Sequence, residues 1–366
     1  MQDKNKTVLF LINSLGVGGA ERVFIKDANA FSAEGVKVYF GILFGDEGKQ
    51  PLLAELQLPR EQIFFMKAQS IFDVPALGRL RSFIAQENIT TIYATLNEAN
   101  VVARLVKCLS CGVSVIIREA NVADEKSIKY KALDLILNIF SNKIVGVSSA
   151  VVQSLKRYEP WLGYKMKVLM NGVEIPSRQK SYDMNSSKPL QILNVGSLTP
   201  KKGQRYLIEA CALVQTQKPN SFQLTVVGSG REESGLKDLI KKNGLESVVT
   251  IVPTVSAADV SEKYLASDIF VLSSLWEGCP NVLLEAMAHG VVPIATDVSG
   301  VRDAIVDGES GYIVPAADAI ALARAISDSI ENVDRLKSVG AQAREKMQSQ
   351  FSMSEHRENL KTILFS

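Results

Sequence analysis

Two glutamates eight residues apart, Glu277 and Glu285, enclose a Gly-x-Pro-Asn turn within residues 273–288. Pro280 suits the first turn of a helix, where its missing N–H is harmless. A helix opening there would present its first N–H groups, at Asn281 and Val282, to a ligand at its N-terminus. Glu277 would stand just before that start. Glu285 would fall about one turn inside it, among Leu283, Leu284, Ala286 and Met287. A carboxylate in such apolar company needs a partner. Sugar hydroxyls are natural partners for both glutamates; a structural ion pair is the alternative.

Two further loops could carry charge chemistry. Residues 195–203 read V-G-S-L-T-P-K-K-G, with Ser197, Lys201 and Lys202 between flanking glycines. Adjacent lysines at a Gly-flanked strand end can compensate a diphosphate; a solvated turn fits the same residues. Residues 13–22 read N-S-L-G-V-G-G-A-E-R, where Gly18 and Gly19 would let backbone approach a ligand at a helix start. This is not the full G-x-G-x-x-G of dinucleotide binders, and a plain tight turn serves equally. Cys108 and Cys111 form a C-x-x-C, but Cys211 and Cys279 do not complete a zinc set, so buried or half-buried thiols are expected.

These loops need a frame. Short apolar runs at 8–12, 36–44, 91–95, 113–117 and 143–147 read as strands, and a second set follows at 190–195, 222–227, 248–252, 269–272 and 292–295. Helical patterns lie between them, for example at 204–215, 232–242, 257–266 and 282–289. Such alternation predicts parallel sheets. The rhythm restarts after 171–172, and residues 176–189 have linker composition. The expected domains are 1–172 and 173–350, with the tail 351–366 packing back on the first. Ligands of open parallel sheets bind outside the carboxyl ends of the strands, so two such domains facing each other would leave a central cleft.

Bulk properties narrow the classes. The chain has 366 residues, 46% hydrophobic and 22% charged, and a net charge of +2. That is an ordinary globular composition, and no nucleic-acid role follows from the charge. No run approaches the roughly 20 apolar residues of a membrane span. The polar opening, Met1 to Lys6, is not that of a signal peptide.

The Glu277/Glu285 spacing, the stretch E-G-C-P-N-V-L-L-E-A-M-A-H-G-V-V-P-I-A-T-D-V-S-G, the G-S-L-T-P-K-K-G loop and the G-V-G-G-A-E-R loop together resemble retaining glycosyltransferase family 4. The likeness covers nearly the whole chain. It implies an α/β architecture of the GT-B type, with two Rossmann-like doubly wound domains facing a central cleft. It also implies that the second domain holds a nucleotide sugar and the first an acceptor. Glu285 matches the glutamate that binds ribose hydroxyls, Glu277 the one that meets the transferred sugar, and Lys202 the basic residue at the diphosphate. The N–H groups near Gly278, Asn281 and Val282 would bind sugar or phosphate, and Gly18–Gly19 would approach the phosphate. Two departures stand out. Ser197 occupies a position where the family often has Arg, leaving Lys201 or Arg205 as substitutes. Ala120 occupies the place of a frequent histidine, so Arg118, Glu119 and Asn121 are expected to face the acceptor; His289 and His356, the only histidines, are not placed to replace it.

The function implied is retaining transfer of a sugar, with UDP as the expected nucleotide, to a carbohydrate in bacterial surface-glycan assembly, a lipid-linked acceptor being preferred. The alternatives are a non-catalytic homologue acting as a partner subunit and a two-Rossmann nucleotide-sugar epimerase. No cofactor is expected, and no metal, since the chain contains no D-x-D. The expected location is the cytoplasm, at the inner face of the membrane. Basic and apolar residues mixed at helical spacing in 76–87 and 126–143 fit a helix with a solvated basic face or, as the sharper reading, contact with anionic lipid.

Overall fold

Val8 through Ile12 are buried without exception, as an apolar run without alternation demands of a strand covered on both sides. This strand, β1 (Thr7–Ile12), pairs in parallel with β2 (Lys37–Ile42) on one side and β4 (Thr91–Thr95) on the other. With β3 (Ile63–Phe65), β5 (Ser114–Glu119), β6 (Lys143–Gly146) and β7 (Met166–Val168) it forms a seven-stranded sheet of order β3-β2-β1-β4-β5-β6-β7. The computed structural model describes residues 6–16, 18–109, 112–182 and 188–366. Cys108 is exposed at the end of its helix rather than buried or half-buried as expected, Cys211 is buried and Cys279 half-buried, and Cys111 lies outside the described residues.

The second sheet repeats the plan. β8 (Leu190–Val195), β9 (Phe222–Val227), β10 (Val249–Val252), β11 (Ile269–Leu272), β12 (Val292–Thr296) and β13 (Tyr312–Val314) are arranged β10-β9-β8-β11-β12-β13, all parallel. In each sheet the strand order reverses once, between β1 and β4 and between β8 and β11. Crevices for ligands open at such reversals. The three strands absent from the sequence reading, β3, β7 and β13, are three-residue edge strands, too short to show a period.

The chain divides into two compact units, Met1–Asn171 with His356–Ser366 and Gly172–Glu355. Each has its own core. That of the first is built around Phe10, Phe24, Phe31 and Phe40 and takes in Leu360 and Leu364 from the terminal helix Met353–Phe365. That of the second gathers Leu207, Phe222, Val271, Ile294 and Ile326. Part of the expected linker is fastened to the second unit. The Tyr182 hydroxyl lies 3.0 and 3.1 Å from the carbonyls of Asp268 and Gly290. Lys180 Nζ stands 2.8 Å from Asp268 Oδ1.

Candidate active site

In the second unit, loops leaving β8, β9, β11 and β12 cross backbone to backbone, with glycine at each crossing. A Cβ on Gly228 would stand 1.9 Å from the Gly196 carbonyl oxygen, and one on Gly300 2.7 Å from that of Gly278. Gly203 has φ of 60°, and its Cβ would meet the Ser273 carbonyl oxygen at 2.1 Å. No side chain fits there, so the loop after β8 lies directly on the loop after β11. Ser273 Oγ donates to the Lys202 carbonyl at 2.9 Å and the Leu275 N–H to the Lys201 carbonyl at 2.8 Å.

That contact brings Lys202 and Glu277 together at the strand-order reversal. Lys202 Nζ is 2.5 Å from Glu277 Oε1, Ser274 Oγ donates to the same oxygen at 2.7 Å, and Lys201 Nζ lies 4.0 Å from Oε2. Glu277 is buried and the two lysines are half-buried. Two cations around one carboxylate leave an excess of positive charge at the mouth of the crevice. Read separately, Lys202 and Glu277 each had an expected ligand; here each is the other's partner. Ser197 is exposed and adds no charge, and its carbonyl accepts from Gln204 Nε2 at 3.1 Å. Of the two substitutes for a missing arginine, Arg205 is engaged with Glu209 at 2.8 Å on an exposed helix face. Lys201 is the one that points inward.

The helix Asn281–Ala288 starts one residue later than the proline reading expects, with Pro280 as its extended N-cap. The Pro280 carbonyl receives the N–H groups of Leu283 and Leu284. Those of Asn281 and Val282 lie in the first turn of the helix. Glu285 is half-buried, and the partner it needs is Tyr264, whose hydroxyl lies 3.2 Å from Oε2. Burial, and then the Glu285 charge, hold the Tyr264 phenol well above its ordinary range, so it stays a neutral donor. Neither Tyr264 nor Ser274 carried a sequence signal, since each is brought in by packing.

The first unit departs further from expectation. Gly18 is the N-cap of the helix Gly19–Ala33, but a Cβ there would fall 2.2 Å from Glu21 Oε2. The helix thus folds its own carboxylate over the glycine turn that Gly18 and Gly19 were expected to offer a phosphate, and an anion arriving there has to displace Glu21. Burial raises the Glu21 carboxyl, against a lowering bond from its own N–H. Arg118 and Glu119 were expected to face an acceptor, yet they are only 1% and 2% exposed. Glu119 Oε2 pairs with Lys126 at 2.7 Å, and its other oxygen accepts from Asn100 at 3.1 Å. Lys126 continues to Asp134, which meets Arg104 at 2.8 Å. Arg118 reaches Asn171 and Thr95. Two acids and two bases cancel inside the unit, so Glu119 holds the loop after β5 in place. Of the three, only Asn121 is exposed.

Residues 178–346 match the family Glycosyl transferases group 1. The second unit is a glycosyl transferases group 1 domain. Among relatives, the putative colanic acid biosynthesis glycosyltransferase WcaL of Salmonella typhimurium is 34% identical over 48% of this chain and 45% of its own length. The chain spans just under half the length of the first curated relatives it matches. A longer alignment, 26% identical over 89% of this chain and 90% of the relative, joins it to the N-acetylgalactosamine-N,N'-diacetylbacillosaminyl-diphospho-undecaprenol 4-alpha-N-acetylgalactosaminyltransferase of Campylobacter jejuni. In fold the chain is similar to HepE of Anabaena, solved in complex with UDP, with a TM-score of 0.86, 21% identity and coverage of 98% of this chain and 99% of that one. The glycosyl transferases group 1 domain contains Lys201, Lys202, Glu277 and Glu285, all contributed by loops and a helix start at the carboxyl ends of its strands.

Proposed function

We propose that the chain transfers a sugar from a nucleoside-diphosphate sugar, with UDP as the nucleotide, to a carbohydrate hydroxyl, with retention at the anomeric carbon. The observation that carries this reading is the Lys202–Glu277 pair, with Lys201 beside it, at the strand-order reversal of a glycosyl transferases group 1 domain. Departure of the diphosphate builds negative charge on phosphate and positive character on the sugar. The two lysines and the helix start at Asn281 and Val282 stabilise the first. Glu277, held by Lys202 and Ser274, then turns to sugar hydroxyls when phosphate draws Lys202 away. Glu285, held by Tyr264, accepts the ribose hydroxyls. Fixed positive charge takes the part that a metal ion plays elsewhere, so no cofactor is needed.

A lipid-linked glycan is the acceptor this reading favours, since relatives named for colanic acid and for a diphospho-undecaprenol substrate align with this chain. A membrane-facing surface on the first unit accords with it. Eight of the fifteen exposed large apolar residues among the described ones fall within 128–168, including Ile128, Ile136, Trp161 and Tyr164. Lysines are interleaved with them: Lys131 Nζ lies 5.1 Å from the Tyr158 ring centroid, and Lys165 donates to the Ile139 carbonyl at 2.8 Å. Exposed rings and aliphatics under lysine heads suit an anionic lipid surface. The other segment expected there, 76–87, is less suited: Ala76, Leu77, Leu80 and Ile84 are buried, and Arg79 donates to the Met66 carbonyl. No helix among the described residues is long and apolar enough to cross a membrane. The proposed location is the cytoplasmic face.

Thermal-shift screening against a panel of nucleotides and nucleotide sugars tests the donor assignment. A ligand at 100 times its Kd stabilises by about 2.7 kcal/mol. A clear rise with UDP and UDP-sugars is expected; no rise with any member of the panel overturns the reading.

A further inference from the structure

We propose that Asn13, Glu98 and Tyr130 form a sugar-hydroxyl subsite in the first unit, with the Glu98 carboxylate as its binding group. The proposal rests on the reading of the chain as a sugar transferase and names the residues that would hold the acceptor. It starts from where these side chains stand. Asn13 follows β1 and Glu98 follows β4, so the two face each other across the strand-order reversal of the first sheet. Tyr130 comes from the helix Ile128–Leu137, beyond β5. The loops after three strands therefore converge on one carboxylate, at the edge of the sheet where ligands of this architecture bind.

The chemistry of the cluster selects the ligand. Tyr130 donates to Glu98 Oε1 at 2.6 Å and Asn13 Nδ2 donates to Oε2. Asn13 Oδ1 in turn accepts the Ala99 N–H at 2.8 Å, which locks the loop after β1 to the helix Asn97–Leu109. Glu98 pairs with no lysine, arginine or histidine among the described residues. Its neighbours are neutral donors, and burial, followed by the hydrogen bond to Glu98 and then its charge, pushes the Tyr130 phenol up to about 12, so it keeps its proton. A carboxylate has roughly four acceptor directions, of which two are used here. All three residues are half-buried, within reach of a solute. An uncompensated carboxylate repels phosphate and carboxylate ligands. It binds neutral hydroxyls through short, charge-assisted bonds. The ligand class is thus a neutral polyhydroxy compound, which among substrates of a sugar transferase is the acceptor sugar. Glu119 makes the contrast: buried, and engaged by Lys126 and Asn100, it has neither the access nor the free acceptor directions.

The test is saturation-transfer NMR on the full chain, saturated with UDP, against a panel of methyl glycosides of the common hexoses and N-acetylhexosamines. Signals from at least one glycoside are expected with the unaltered chain. Glu98→Gln keeps the shape and the Tyr130 contact but removes the charge, and should weaken binding about tenfold, the size of one charge-assisted bond. Glu98→Ala should abolish it, and Tyr130→Phe should reduce it. The UDP-induced rise in melting temperature serves as the fold control in each variant. Signals unchanged in Glu98→Gln, or absent from the unaltered chain while UDP still binds, overturn the subsite. Absence of any UDP effect on the unaltered chain strikes instead at the donor assignment; glycoside signals that still depend on Glu98 then support the subsite on their own.

Discussion

Lys202 Nζ and Glu277 Oε1 stand 2.5 Å apart across two loops joined by a glycine that admits no side chain. The pair is partly shielded, so each charge depends on the other. Replacing Lys202 with Ala leaves a buried carboxylate and should destabilise by about 2 kcal/mol, below the roughly 3–5 kcal/mol of a fully buried pair. Turnover should fall by about 10²–10³, the scale of one lost transition-state donor. Denaturant melts and initial rates check both. A Lys202→Ala variant with full turnover would remove the lysine from the reaction.

Glu285 offers a cleaner separation of binding from chemistry. Glu285→Gln preserves shape while losing charge-assisted bonds of about 1.5–3 kcal/mol, so UDP affinity should drop by about one to two orders of magnitude. Calorimetry with UDP is the measurement. Equal affinity in variant and parent would contradict the ribose assignment.

A pH dependence resides in the first unit. His356 Nδ1 is 2.7 Å from the Met170 carbonyl and Nε2 is 3.1 Å from Asp27 Oδ1, so both nitrogens face acceptors and the ring is favoured as the cation. Burial pulls the imidazole down and Arg118 adds to that, but Asp27 and the Met170 carbonyl outweigh them and leave it above its ordinary value. A raised folded value means that this stabilisation is complete below about pH 6.5 and is lost as pH rises through the folded value. Melting temperature should decline across that window, and His356→Gln should flatten the decline. An identical pH profile in the variant would count against the assignment.

The exposed surface within 128–168 makes a salt-dependent prediction. Co-sedimentation with phosphatidylserine-containing vesicles should be strong at low ionic strength and fall as salt rises, because screening weakens the lysine contribution. Replacing Trp161 and Tyr164 with Ser should weaken it at every salt concentration. No binding at low salt rules the surface out as a lipid contact.

Metal independence is the last expectation. If Lys201, Lys202 and the helix start at Asn281 meet the phosphate as proposed, excess EDTA should leave most of the turnover intact, and Mg²⁺ should stimulate only modestly. Complete, reversible loss in chelator would contradict the role given to Lys202.

The alternation of apolar runs, the eight-residue glutamate spacing and the paired lysines were legible in the chain itself because each is local. A strand buried on both faces must be apolar in sequence, and a loop that meets phosphate needs its charges adjacent. Hence β1, β4, β8 and β11, which enclose the reversals, follow from the sequence to within a residue or so, and the same local signals mark Glu277, Glu285 and Lys202. What sequence could not disclose is pairing over distance. That Lys202 meets Glu277, that Tyr264 answers Glu285 and that Arg118 turns inward to Asn171 depend on which segments the fold brings together. A charged residue at a strand end reads the same whether it faces solvent or a buried counter-ion. Only tertiary packing decides, because the cost of burying a charge is met by partners that lie from 7 to 75 residues away in the chain.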